Sequence, residues 1–282
     1  MRVHPCLLYT PAPRIDAIAK SVPAGTSTVV LDLEDSIPKH AKEAARQRLM
    51  SADLSGSGLQ GVQVRVNCIT TPDGLRDIQV LLEMDGQVGG VPVETIFVPK
   101  VAEGRDVAIY RSLLSGLPNP PEICSFIETL DAVENAYDIA AASDGLHFGQ
   151  ADLVSELYSP NEHMVEHARA RLCAAAARYG VPAIDTNSFE LMDMDVVRAQ
   201  SEAARRWGFT GKAAIHPRQV ETIAAAFTVD PEELDGYRQT IKDYEANATG
   251  FAVTKDRVLA PPFVHKARRM LALYENLADP VG

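Results

Sequence analysis

Thr28–Asp35 reads TVVLDLED, and this stretch decides the fold. Its first part, Thr28–Leu33, is a short β-rich run without polar alternation, as expected of a parallel strand buried on both faces. It stops on acids, Asp32, Glu34 and Asp35, so reactive groups arrive where the strand ends. Working outward, similar runs recur at Cys6–Thr10, Val62–Val66, Thr95–Val98, Glu122–Ile127, Gly145–Phe148, Pro182–Ile184 and Ala213–Ile215. Helical patterns separate them: Pro13–Ser21, His40–Met50, Thr71–Met84, Glu103–Leu114, Thr129–Ala142, Asn161–Tyr179, Asp193–Trp207 and Pro217–Phe227. Thr70-Thr71-Pro72-Asp73 has the form of a helix start, and Tyr179-Gly180 and Trp207-Gly208 the form of helix ends. Eight β-then-α units in about 230 residues predict an α/β fold, a (β/α)₈ TIM barrel. A doubly wound sheet would need a glycine-rich turn after the first strand. Here that turn is Thr10-Pro11-Ala12-Pro13.

The barrel is expected over residues 1–229. Residues 230–282 read as a C-terminal helical extension: a helix over Glu232–Ala248, a turn at Thr249–Gly250, a short extended piece and a last helix over Phe263–Leu277. Too small to stand alone, this tail is expected to pack on the barrel or on a neighbouring subunit. The chain has 282 residues, 46% hydrophobic and 23% charged, which excludes intrinsic disorder. A net charge of −11 without a basic block argues against nucleic acid as a partner. No apolar run is long enough for a membrane span, and the N-terminus lacks a secretory pattern. Cys6, Cys68, Cys124 and Cys173 form no CxxC and read as core thiols in a reducing, cytoplasmic setting.

In such barrels the chemistry sits at the C-terminal ends of the strands. Those ends carry Asp32-Leu33-Glu34-Asp35, Arg65-Val66-Asn67, Pro99-Lys100, Glu128-Thr129, Gly149-Gln150-Ala151-Asp152, Asp185 and His216-Pro217. So many carboxylates around one arginine would repel an anionic substrate unless a cation is present. A hard divalent cation answers this, with Glu128 and Asp152 on adjacent strands as its oxygen ligands. Mg²⁺ suits few protein ligands plus water and substrate oxygens, and Mn²⁺ is the alternative ion. Glu34 and Asp35 would hold metal-bound waters. Arg65 would face a substrate carboxylate or a developing oxyanion.

Each residue also has a plain structural alternative. Asp32 could be a buried, hydrogen-bonded carboxylate, Glu128 could begin the next helix, and Asp152 could cap a short one. Lys100 has the type of a Schiff-base lysine, but acidic loops around it favour an ion pair. His216, before a proline, reads as a strand-end residue. His163-Met164-Val165-Glu166-His167 matches an HxxEH metal pattern but lies in a loop-to-helix connection without a third ligand.

Seven segments carry a family likeness: Leu8–Pro11, Val30–Ser36 (VLDLEDS), Val64–Asn67, Val98–Val101, Ile127–Thr129, Phe148–Asp152 (FGQAD) and Gly208–Gln219 (GFTGKAAIHPRQ). On these the chain resembles the citrate lyase β-subunit-like branch of the HpcH/HpaI aldolase superfamily, which also holds malyl-CoA and citramalyl-CoA lyases. The resemblance implies a barrel, a homo-oligomer that is commonly a homotrimer, and a tail that helps close a neighbour's active site. It also implies Mg²⁺ on Glu128 and Asp152, substrate binding by Arg65 and acidic support from Glu34 and Asp35. Two departures stand out. The Arg-Ser pair that usually precedes the first strand is Pro5-Cys6 here, after His4. The acid/base aspartate of the C-terminal stretch aligns with Ala260 in Gly250–Pro262; Asp256 stands four residues earlier.

The expected function is a Mg²⁺-dependent carbon–carbon lyase. It would cleave or form a β-hydroxyacyl thioester of the citryl-, malyl- or citramalyl-CoA type, giving a keto acid and an acyl thioester. Glu128 would bind both metal and substrate, and the CoA thioester would be substrate, not bound cofactor. The alternatives are a class II aldolase on free 4-hydroxy-2-oxo acids, and a non-catalytic ligand-binding homologue or complex subunit.

Overall fold

The computed structural model describes residues 1–20, 22–159, 161–246, 252–253 and 258–275. Eight strands form the barrel: β1 (Cys6–Pro11), β2 (Thr28–Asp32), β3 (Val62–Arg65), β4 (Val91–Val98), β5 (Glu122–Ile127), β6 (Gly145–Phe148), β7 (Ala183–Asp185) and β8 (Gly211–Ala214). Each pairs in parallel with its neighbours in chain order, and β8 pairs with β1 to close the cylinder. The predicted (β/α)₈ barrel is the fold.

Alternate strand residues explain the unbroken apolar runs. Cys6, Leu8, Val29, Leu31, Val62 and Val64 belong to the large core cluster. Leu7, Val30, Phe97, Cys124, Phe126 and Ile184 form a second, separate cluster that fills the barrel interior. Strands β1, β2, β4, β5 and β7 therefore bury apolar residues on both faces, whereas β3, β6 and β8 also bury the polar residues Gln63, His147 and Lys212.

The helices follow the sequence signals with some differences. Thr71 caps Pro72–Glu83 by accepting from Gly74 N–H at 3.1 Å, and Gly180 and Gly208 end their helices with φ of 70° and 108°. The helix expected over Thr129–Ala142 is two, Leu130–Glu134 and Ala136–Ala142, broken at Asn135. β4 begins earlier than expected, because Val91 and Pro92 pair antiparallel with the two-residue strand Gln87–Val88.

The chain divides into two compact units, the second running from Thr228 and including Arg2. Within the second unit, helices Pro231–Glu245 and Pro261–Tyr274 pack on each other, with Arg268 Nη2 2.8 Å from Glu245 Oε1. Ala252–Val253 pairs antiparallel with Val258–Leu259. The predicted turn at Thr249–Gly250, Asp256 and the last residues of both predicted tail helices lie outside the described residues. Ala260 is described and stands at the N-cap of the final helix. Among the described residues, no helix is long and apolar enough to cross a membrane.

Candidate active site at the C-terminal rim

The site is built on the register between β2 and β3, which sets Asp32 opposite Arg65. Asp32 accepts from Arg65 Nε at 2.7 Å and Nη2 at 2.8 Å, a two-point pairing. The same carboxylate also accepts the backbone N–H of Glu34 at 2.9 Å and of Ser36 at 3.2 Å. Burial opposes the charge of Asp32, yet the Arg65 guanidinium holds its carboxyl below the usual range. The structural reading of Asp32 therefore holds: it shapes the turn and orients the arginine. Lys42 fixes the same turn from below, donating to the carbonyls of Leu33 at 2.9 Å and Glu34 at 2.8 Å.

Arg65 Nη1 lies 3.0 Å from Glu34 Oε2 and 3.6 Å from Asp35 Oδ2. Its guanidinium carbon sits 5.4 Å from the Tyr9 ring centroid and 5.7 Å from that of Phe126. Glu34 Oε2 makes an ion-pair contact only; it is buried and has no hydrogen-bond partner among the described residues. Burial, with Asp35, Glu128 and Asp32 nearby, pushes the Glu34 pKa up to about 8 against the pull of Arg65. Asp35 is largely exposed.

Glu128 follows β5 directly and is 2% exposed. It does not open the next helix, because Thr129 is the N-cap there. Its Oε1 accepts the Lys100 backbone N–H at 2.7 Å. Burial pushes its pKa up to about 7, with Asp152 adding to the shift and Lys100 opposing it. Asp152 does not cap a helix either. Gly149 is the N-cap of Gln150–Ser155, and Asp152 stands in the first turn. Its carboxylate forms an ion pair with Lys100 Nζ, which is 3.6 Å from Glu128 Oε1. A Cβ on Gly149 would lie 2.4 Å from Glu128 Cβ and 2.6 Å from Oε2, so only glycine leaves room for this carboxylate. The two carboxylates thus converge on one positive charge, the Lys100 ammonium, and the ion-pair reading of this lysine fits. A stand-in cation between two oxygen donors is the arrangement that a divalent ion needs. Among the described residues no group of three His, Cys, Asp or Glu side chains could hold a metal, so Glu128 and Asp152 have no third ligand of those types.

The HxxEH segment does not form a metal site. His163 is exposed and lies 3.9 Å from Glu166. His216 Nδ1 accepts the Arg218 backbone N–H at 3.1 Å, a local role at the strand end. Cys6, Cys124 and Cys173 are buried as expected, whereas Cys68 is only partly buried, with Sγ 3.1 Å from Thr70 Oγ1.

A cavity of about 230 Å³ opens beside Arg65 and Asp32, with Tyr9, Thr10, Phe126 and His147 among its lining. His147 is absent from the residues that the sequence singles out, although a histidine in the apolar run GLHF was the available signal. It is stacked on Phe126 with ring centroids 4.2 Å apart, and burial next to Arg65 pushes its pKa down to about 3. A larger cavity of about 720 Å³ adjoins it at Asn187. There Asp185, whose register partner is Lys212, binds Lys212 Nζ at 2.5 Å and Arg169 Nη1 at 2.7 Å. Nothing in the sequence pointed to Arg169, because it comes from the helix Glu162–Tyr179 and not from a strand end.

Comparisons with known proteins agree with the barrel fold. A family model described as HpcH/HpaI aldolase/citrate lyase matches residues 6–217. A (3S)-malyl-CoA thioesterase of Cereibacter sphaeroides is 29% identical, aligned over 98% of this chain and 97% of that protein. A citrate lyase subunit beta-like protein of Deinococcus radiodurans is 30% identical over 94% of this chain and 95% of its own length. The crystal structure of CitE from Mycobacterium tuberculosis, in complex with magnesium, acetoacetate and coenzyme A, superposes with a TM-score of 0.72 and 25% identity, covering 97% and 98% of the two chains. The chain belongs to the HpcH/HpaI aldolase/citrate lyase family.

Proposed function

We propose that the protein is a Mg²⁺-dependent carbon–carbon lyase acting reversibly on a β-hydroxyacyl CoA thioester of the malyl, citramalyl or citryl type. The observation that carries this reading is the convergence of Glu128 and Asp152, from adjacent staves, on one cation near the Arg65 cage. The magnesium, acetoacetate and coenzyme A bound by CitE support it.

Glu128 and Asp152 would hold the ion. Such an ion would supply the positive charge that makes the substrate hydroxyl more acidic. Glu34, whose buried Oε2 has no other hydrogen-bond partner among the described residues, takes the hydroxyl proton. The oxygen's electron pair becomes the carbonyl of the keto acid as the carbon–carbon bond breaks. The electrons of that bond pass to the thioester enolate, which gains a proton to give the acyl thioester. Arg65, fixed by Asp32 and by the rings of Tyr9 and Phe126, stabilises the charge that moves. Asp35, next to the same guanidinium, orders water at the mouth. The 720 Å³ cavity has room for the thioester arm.

The test is a panel of malyl-, citramalyl- and citryl-thioesters with Mg²⁺, assayed for keto acid and for free CoA. Keto acid released with the thioester intact is the expected result. Free CoA without keto acid would mark a thioesterase, the activity named for the Cereibacter relative. Release from free 4-hydroxy-2-oxo acids alone would mark an aldolase, the reading that Pro5-Cys6 and Ala260 favour. Ala260→Asp should raise thioester turnover by about 10²-fold or more, the usual contribution of a general acid–base group. An unchanged rate would show that Ala260 does not stand in for a missing proton carrier.

A further inference from the structure

Lys100 has a backbone that few residues adopt. Its φ is 55°, and among described non-glycine residues only Asp85 shares this left-handed region. The conformation lets one residue serve both carboxylates. Its N–H donates to Glu128 Oε1 at 2.7 Å, while its side chain folds over to pair with Asp152 and approach Glu128 at 3.6 Å. Main chain and side chain therefore do different jobs. The N–H orients Glu128 and stays in place if the side chain moves. The ammonium neutralises the pair and fills the space that a shared ion would take. The Lys100 side chain is 39% exposed, so it can swing into solvent without opening the core.

We propose that Lys100 is a displaceable internal counter-ion, which holds Glu128 and Asp152 together in the metal-free protein and must leave before a divalent cation can take both. The inference rests on the metal reading above and concerns how the site is loaded. A site that is closed most of the time binds its ligand more weakly by the fraction that is open. Removing the ammonium should therefore tighten metal binding, although it also removes a stabilising contact from the empty site.

Two measurements test this on the full chain. Mn²⁺ titrations, followed by calorimetry and by the loss of free-Mn²⁺ EPR signal, compare the native protein with Lys100→Met. The variant should bind about tenfold more tightly, and its metal-free melting temperature should fall. Independently of any variant, reductive methylation of the native protein should label Lys100 more when Mg²⁺ is saturating, with exposed Lys39 as the unchanged reference. Equal or weaker Mn²⁺ binding by the variant, or Lys100 labelling indifferent to Mg²⁺, overturns the proposal while leaving the metal site standing. Absence of Mn²⁺ binding in both proteins would remove the metal reading and this inference with it.

Discussion

Glu34 is the residue at which charge, burial and chemistry conflict most. A carboxyl whose folded pKa, about 8, lies above its ordinary 4.5 binds more protons folded than unfolded. Stability then falls as pH rises between those two values. Glu34→Gln imitates the protonated form. In metal-free buffer the variant should match the native protein near pH 5 and exceed it at pH 8 by on the order of 2 kcal/mol. Urea unfolding at the two pH values reads this directly, and a native protein as stable as the variant at pH 8 would show that Glu34 ionises freely. Gly149 makes a complementary case, because a methyl there would meet Glu128 Cβ at 2.4 Å. Gly149→Ala should therefore weaken Mn²⁺ binding more than tenfold, on the order of 1.4 kcal/mol or more. Calorimetry would return an unchanged affinity if Glu128 were not a ligand.

The strands act as a set of fixed offsets, and the closing strand is the most exacting. At β8, a Cβ on Gly211 would lie 2.0 Å from the His4 carbonyl oxygen, and the next residue, Lys212, donates its N–H to Pro5 O at 3.2 Å. Gly211→Ala should force the β1–β8 seam apart and destabilise the fold by about 3 kcal/mol or more. A urea midpoint within error of the native value would show that the seam yields without loss. The apolar runs and their acidic ends were legible because burial on both faces and rim placement both leave marks in one chain segment. Arg65, Glu128 and Asp152 could be picked out for that reason. The tie of Lys42 to the Leu33 and Glu34 carbonyls left no mark, since a lysine on an amphipathic helix looks solvent-facing until the loop beneath it is placed. The pairing of Val91 and Pro92 was hidden by the proline, which argues against a strand except at an edge. The break at Asn135 was hidden because helix-forming residues lie on both sides of it.

At the scale of the whole molecule, the barrel closes without the tail. β1 pairs with both β2 and β8, and the helix Pro217–Phe227, which packs on β8 and β1, ends where the first compact unit ends. Every side chain assigned to the lyase chemistry lies before Phe227: Glu34, Asp35, Arg65, Glu128 and Asp152. A chain ending at Phe227 should therefore fold cooperatively and keep its Mn²⁺ affinity within about threefold, less than 1 kcal/mol. Circular dichroism, a urea melt and a Mn²⁺ titration on the shortened chain check both halves of that statement. Loss of the cooperative transition would make the tail part of the barrel's folding unit. A folded chain that no longer bound Mn²⁺ would instead mean that the two staves need a further ligand from beyond residue 227. If both properties survive, the tail is free to serve turnover or assembly without holding the site together, which is the division of labour proposed for residues 1–229 and 230–282.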